Sequence, residues 1–143
     1  MLIKRILFPV DDSVHPRNAM EAIEMFHTLN KNLEVIILHV VDEVNNLIGN
    51  PHREELNAEL RAAGEKLVAP FCEELGSKGI KCTVLIRHGR PATQILAMAL
   101  KHHSDLIVMS PRGEGESGIE GLLLGSVSEK VLQHSRVPVL LSR

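Results

Sequence analysis

Short apolar runs alternate along the chain with segments in which apolar residues recur three and four apart. Ile3 to Val10 (IKRILFPV) is an apolar run closed by Asp11-Asp12-Ser13, which predicts a strand. Ala19, Ala22, Ile23 and Phe26 follow at helical spacing. Leu33 to Val41 (LEVIILHVV) predicts a second strand. Leu56, Leu60, Ala63, Leu67, Phe71 and Leu75 then step along one helix face, with Pro70 inside the pattern. An interior proline costs ~3 kcal/mol, so a kink or break is expected at about Ala69. Gly76 and Gly79 are expected to end this helix before a third strand, Lys81 to Arg87. Gly89-Arg90-Pro91 reads as a turn, with Pro91 placed to open a helix carrying Ala92, Ile95, Leu96, Ala99 and Leu100. Asp105 to Met109 is a fourth strand, Ser110 to Gly121 a loop, and Ser126 the expected cap of a helix bearing Val127, Val131 and Leu132. Val137 to Leu141 is a fifth strand.

Strands separated by helices lie parallel and are joined by right-handed crossovers. Their nearly continuous apolar character requires helices on both faces. The expected fold is therefore α/β: a doubly wound, five-stranded parallel sheet in one domain over residues 1–143. Ligands of such sheets bind outside the carboxyl ends of the strands, where the strand order reverses. That directs attention to Pro9–Ser13, His39–Glu43, Arg87–Pro91 and Met109–Ser128.

Composition narrows the function. Net charge is −2, so no bulk positive field gathers nucleic acid or an anionic membrane. With no Trp, no Tyr and three Phe, the chain lacks the aromatic platforms of single-strand readers. No apolar run reaches membrane-span length, and MLIKRILFPVDDS lacks the form of a signal peptide. A cytoplasmic protein is expected, with Cys72 and Cys82 as reduced, mostly buried thiols.

The segment Met109 to Lys130 leaves a strand, passes five glycines and enters a helix at Gly125-Ser126. A glycine-rich loop running into a helix start is suited to anions, because free N–H groups and the helix dipole both favour negative charge. Ser126 and Ser128 add hydroxyl donors. The loop has no Gly-Lys-Ser/Thr of a Walker A motif. It also sits in the wrong place for a dinucleotide fingerprint, since Pro9-Val10-Asp11 follows the first strand.

Taken together, ILFPVDDS, LHVVDE, HGRPATQIL and MSPRG…GLLLGSVSEKVLQHSRVPVLL, in that order along essentially the whole chain, resemble the universal stress protein family. The resemblance implies the adenine nucleotide alpha hydrolase-like fold, with sheet order 3-2-1-4-5 and a cleft between the ends of strands one and four. It implies an adenine-nucleotide site in which Asp11 meets the adenine edge or ribose beside a wall of Pro9 and Val10. Val40 would bond adenine through its main chain, and Met109 would pack on the nucleoside. Gly113 and Gly125 would bring N–H groups to the phosphates, with Ser126, Val127 and Ser128 holding the outer ones.

The chain departs from the family's G-x2-G-x9-G-S/T pattern. Ser110 replaces the first glycine, and Pro111 beside it has no N–H to donate. Eleven residues rather than nine separate Gly113 from Gly125; counting from Gly115 restores nine but puts Arg112 in the place of the first glycine, and the extra residues bring in Glu114 and Glu116. Those carboxylates repel a triphosphate unless magnesium or manganese bridges them, whereas Arg112 attracts it.

Other chemistry is weaker. The Asp11-Asp12 pair is shared with receiver domains, but the third strand ends in Arg87-His88-Gly89 and the fifth in Ser142-Arg143, so the required Asp and Lys are missing. The eight histidines show no metal-ligand spacing. His39 and His88 fall at strand ends expected to face the cleft, without a companion nucleophile. The expected function is an ATP-binding regulatory module of the stress response, homodimeric through edge strand Val137–Leu141 and not an enzyme. The alternative is a nucleotide-free, dimeric interaction protein of the same family.

Overall fold

The computed structural model describes residues 2–13, 16–42, 51–111 and 124–143. The elements are β1 (Arg5–Pro9), α1 (Arg17–Leu29), β2 (Glu34–Asp42), α2 (Arg53–Ser77), β3 (Lys81–Gly89), α3 (Pro91–Lys101), β4 (Leu106–Met109), α4 (Ser126–His134) and β5 (Val139–Leu141). The sheet order is β3-β2-β1-β4-β5, parallel throughout, as expected for the doubly wound fold.

Alternate residues of β1 divide the core between the two faces. Ile6 and Phe8 point to one side, where they pack with Ala19, Met20 and Ile23 of α1 and Val68 and Leu75 of α2. Leu7 points to the other, against Ile95, Met98 and Ala99 of α3 and Val131 of α4. All three β1 residues are fully buried, and each such side chain contributes about 1.5–3 kcal/mol through removal from water. The strand is apolar on both faces because both faces are covered.

Three local expectations are corrected. The expected break near Ala69 is absent, since α2 runs without interruption from Arg53 to Ser77 with Pro70 inside it. Pro70 is on the exposed side, so water can reach the carbonyl group it leaves without its N–H partner. Leu67, Val68 and Phe71 meanwhile hold the inner side against the core. The chain leaves α2 through Gly79, whose φ of +82° is one that glycine adopts at little cost. Strand five is three residues long rather than five: only Val139–Leu141 pair with β4, in register with Ile107–Met109. Pro138 precedes them and accepts a bond from the Ile107 N–H at 2.9 Å. Finally, Ser126 does not cap α4; Gly125 is the cap residue and Ser126 the first helical one, with no side-chain cap bond.

The amino end of the sheet is tied across four strands. One Asp105 carboxylate oxygen accepts the N–H groups of Lys4 at 2.9 Å and Arg5 at 3.0 Å. The Arg5 guanidinium bonds the His102 carbonyl at 2.8 Å and the Glu34 carboxylate at 3.3 Å, and Lys81 reaches Glu34 at 3.1 Å. The Lys81 hydrogen bond and charge, followed by Arg5, hold the Glu34 carboxyl below its ordinary range. Cys72 and Cys82 are free, half-buried thiols; burial, then a hydrogen bond with Cys72, pushes the Cys82 thiol well up. Among the described residues no helix is long and apolar enough to cross a membrane.

Candidate functional site

A cavity of about 520 Å³ lies over the carboxyl ends of β1, β2 and β4, within the usual size range of small-molecule sites. This is where the strand order reverses, β1 feeding β2 on one side and pairing β4 on the other.

At the end of β1, Pro9 and Val10 form one wall and Asp11 and Asp12 continue it. The Val10 N–H donates to the Leu38 carbonyl at 2.8 Å, which extends the β1–β2 ladder past the strand end. Asp11 then turns the chain, its Oδ1 accepting the Ser13 N–H at 2.9 Å. From β2 come His39, Val40 and Asp42, and from the end of β4 come Met109, 5% exposed, and Ser110.

The last wall is the start of α4: Gly125, Val127 and Ser128. The Glu129 N–H bonds the Gly125 carbonyl at 3.0 Å, the first bond of the helix. The N–H groups of Ser126, Val127 and Ser128 precede it and have no partner within the helix. They form the positive end of the helix dipole beside the cavity. Gly125 approaches with φ −66° and ψ 157°, an extended conformation open to any residue.

Nine of the eleven residues singled out from sequence therefore line one cavity: Pro9, Val10, Asp11, Val40, Met109, Ser110, Gly125, Val127 and Ser128. Ser126 is exposed and does not line it. Gly113, with Arg112, Glu114 and Glu116, lies outside the described residues. His88, expected to face the cleft, does not line the cavity either; its Nδ1 is buried and has no hydrogen-bond partner among the described residues.

The reading from sequence missed a whole wall. Leu60, Ala63, Gly64 and Leu67 of α2 close the cavity on one side, and Pro91 and Ile95 of α3 reach it from the other face of the sheet. The one available signal was Gly64, a glycine inside a helical pattern, where it costs about 1 kcal/mol relative to Ala. Among the described lining residues three are acidic, Asp11, Asp12 and Asp42, and none is Lys or Arg. Backbone N–H groups and hydroxyls are thus the anion-binding elements these residues supply. Among the described residues no group of three His, Cys, Asp or Glu is placed to hold a metal ion.

The comparisons with known proteins point one way. A universal stress protein of Thermus aquaticus is 34% identical over 143 residues, covering 99% of this chain and all of that one. The solved structure of MJ0577 from Methanocaldococcus jannaschii superposes with a TM-score of 0.86 at 32% identity, over 99% of this chain and 96% of that one. The universal stress protein of Archaeoglobus fulgidus in complex with dAMP shares the fold, with a TM-score of 0.62 at 15% identity over the whole of both chains. The model of the universal stress protein family matches residues 2–143. With the match running from one end of the chain to the other, this protein belongs to the universal stress protein family.

Proposed function

We propose that the cavity binds an adenine nucleotide and that the protein is a homodimeric regulatory module of the cytoplasmic stress response with no catalytic apparatus of its own. The observation that carries this reading is the meeting of Asp11 and the α4 N-terminus in one cavity at the β1/β4 reversal. An acidic side chain suits the ribose hydroxyls or the adenine amino group, and the helix start suits phosphate. The dAMP complex formed by a protein of the same fold supports the nucleotide class. The acidic lining makes a triphosphate dependent on a divalent cation such as magnesium or manganese. Binding rather than turnover is the role this reading assigns.

The test is direct. Purified protein is denatured and its supernatant chromatographed for nucleotide, and ATP and AMP are titrated calorimetrically with magnesium and with EDTA. Bound or titratable adenine nucleotide is expected, with ATP affinity falling in EDTA. Absence of binding under every condition would favour the second reading, a nucleotide-free interaction protein. That reading draws on Ser110 and Pro111, which replace a close-approach glycine and remove an N–H at the cavity edge.

The dimer is argued from the sheet edge. Among the described residues β5 pairs only with β4, and Val139, Leu140 and Leu141 are all partly exposed. An open apolar edge is a template for a second strand, and a two-fold axis beside it would pair it with its own copy. Val139→Lys should shift the protein to monomer, because like charges would face each other across that axis. Light scattering checks this, and a parent that is monomeric at micromolar concentration removes the interface.

A further inference from the structure

His39 is held from two sides at the cavity wall. Its Nδ1 lies 2.9 Å from the Val10 carbonyl oxygen. A carbonyl only accepts, so Nδ1 carries the proton and donates, and in the neutral ring Nε2 is the acceptor. On its other side the ring rests against α2 at Gly64. A Cβ there would stand 2.6 Å from His39 Cδ2 and 3.4 Å from Nε2, closer than the first pair of atoms can come. The missing side chain of Gly64 makes the seat for the imidazole, at the cost in helix propensity that a mid-helix glycine carries.

The tether on Val10 reaches Asp11 through the backbone. Both backbone groups of Val10 are committed to β2, the N–H to Leu38 and the carbonyl to His39. The Val10 carbonyl and the Asp11 N–H belong to one planar peptide unit, so fixing one fixes the other. That peptide is the last of the run from β1 before the chain turns at Asp11 and Ser13.

We propose that His39, seated on Gly64, is a positioning residue for Asp11: by holding the Val10–Asp11 peptide it presents the Asp11 carboxylate to the bound nucleotide. The inference rests on the nucleotide reading of the cavity and deepens it, adding two residues that act on the ligand through a third. It assigns a purpose to a glycine in the middle of a 25-residue helix. It also makes the contact of α2 with β2 part of the binding machinery.

The experiment is a double-mutant cycle read by calorimetric titration of the adenine nucleotide, with far-UV circular dichroism melts as the fold control. His39→Leu should weaken binding roughly three- to tenfold, the range for loss of one neutral hydrogen bond. His39→Asn should recover most of the loss, because its amide nitrogen can take the place of Nδ1. In an Asp11→Ala background, His39→Leu should cost nothing further. Gly64→Ala should weaken binding although Ala is the better helix former. Additive losses from His39→Leu and Asp11→Ala, or unchanged affinity in His39→Leu, overturn the proposal.

A ligand-free readout separates this inference from the reading beneath it. The imidazole nitrogen spectrum of the free protein, at a pH where the ring is neutral, should show the Nδ1–H tautomer. The Nε2–H tautomer overturns the positioning role whether or not nucleotide binds. The Nδ1–H tautomer in a parent that binds no adenine nucleotide overturns the nucleotide reading and reduces the tether to a contact of the fold.

Discussion

At the amino end of the sheet, Asp105, Arg5, Glu34 and Lys81 join four strands through side chains that find their partners within the protein. At the carboxyl end the strands open onto a cavity of about 520 Å³ walled by Asp11, His39, Met109 and the first turn of α4. At one end these charged side chains bond one another and the backbone. The other leaves helix N–H groups facing a space. The comparison teaches that stability and binding are drawn from opposite ends of the same strands, so a change at one end should leave the other untouched.

The largest expected effect is at the binding end. Gly125→Val should lower adenine-nucleotide affinity by roughly a hundredfold or more, at about 1.4 kcal/mol per tenfold, by pushing a branched side chain between phosphate and the α4 N–H groups. The melting temperature should be nearly unchanged, because the φ and ψ of Gly125 suit valine. Unchanged affinity in calorimetry would place the ligand away from α4.

A smaller effect in a different observable is expected at the other end. Asp105→Ala removes the acceptor shared by the Lys4 and Arg5 N–H groups, the second of which is part-buried. A loss of about 1–3 kcal/mol is expected in urea unfolding, with nucleotide affinity preserved. A fall in affinity as large as that of Gly125→Val would show that the two ends are coupled.

The smallest effect concerns pH. The Glu34 carboxyl is lowered in the folded protein, chiefly by Lys81, so its contribution is present above its ordinary value of 4.5. That contribution is lost as pH falls through the lower, folded value. Glu34→Gln should therefore flatten the acid side of the stability curve slightly and leave neutral-pH binding alone. Because both partners are solvent-exposed, the effect should shrink further in high salt, which melts at two ionic strengths will check.

The sheet and its helices were legible because burial on both faces writes itself as continuous apolar strands such as LEVIILHVV, and burial on one face as the spacing of Ala92, Ile95 and Ala99. Pro70 misled because local propensity predicts a break, while packing of the inner face of α2 outweighs it. The start of strand five is not legible because Val137 and Pro138 are apolar like their neighbours, and apolarity does not distinguish a residue in register with β4 from one, like Pro138, that only lends it a carbonyl. The loop motifs at the carboxyl ends marked most of the cavity, since topology brings those ends together. The α2 wall was not legible in the same way. Leu60 and Leu67 look like core residues in any amphipathic helix, and only the tertiary contact of Gly64 with His39 shows what that helix covers.

The position of β1 also sets the order in which the site can come into being. Its first neighbour, β2, follows after one helix, and Arg5 faces Glu34. Its second neighbour arrives about a hundred residues later, when Ile6 meets Leu106 and Asp105 reaches back to Arg5. Closing that long loop costs chain entropy before any contact rewards it, which slows folding. On a ribosome, β1 to β3 and the α1/α2 layer emerge while α4 has yet to be made. The cavity, which needs α4, is completed last, and a ligand that binds only the completed form stabilises it by mass action.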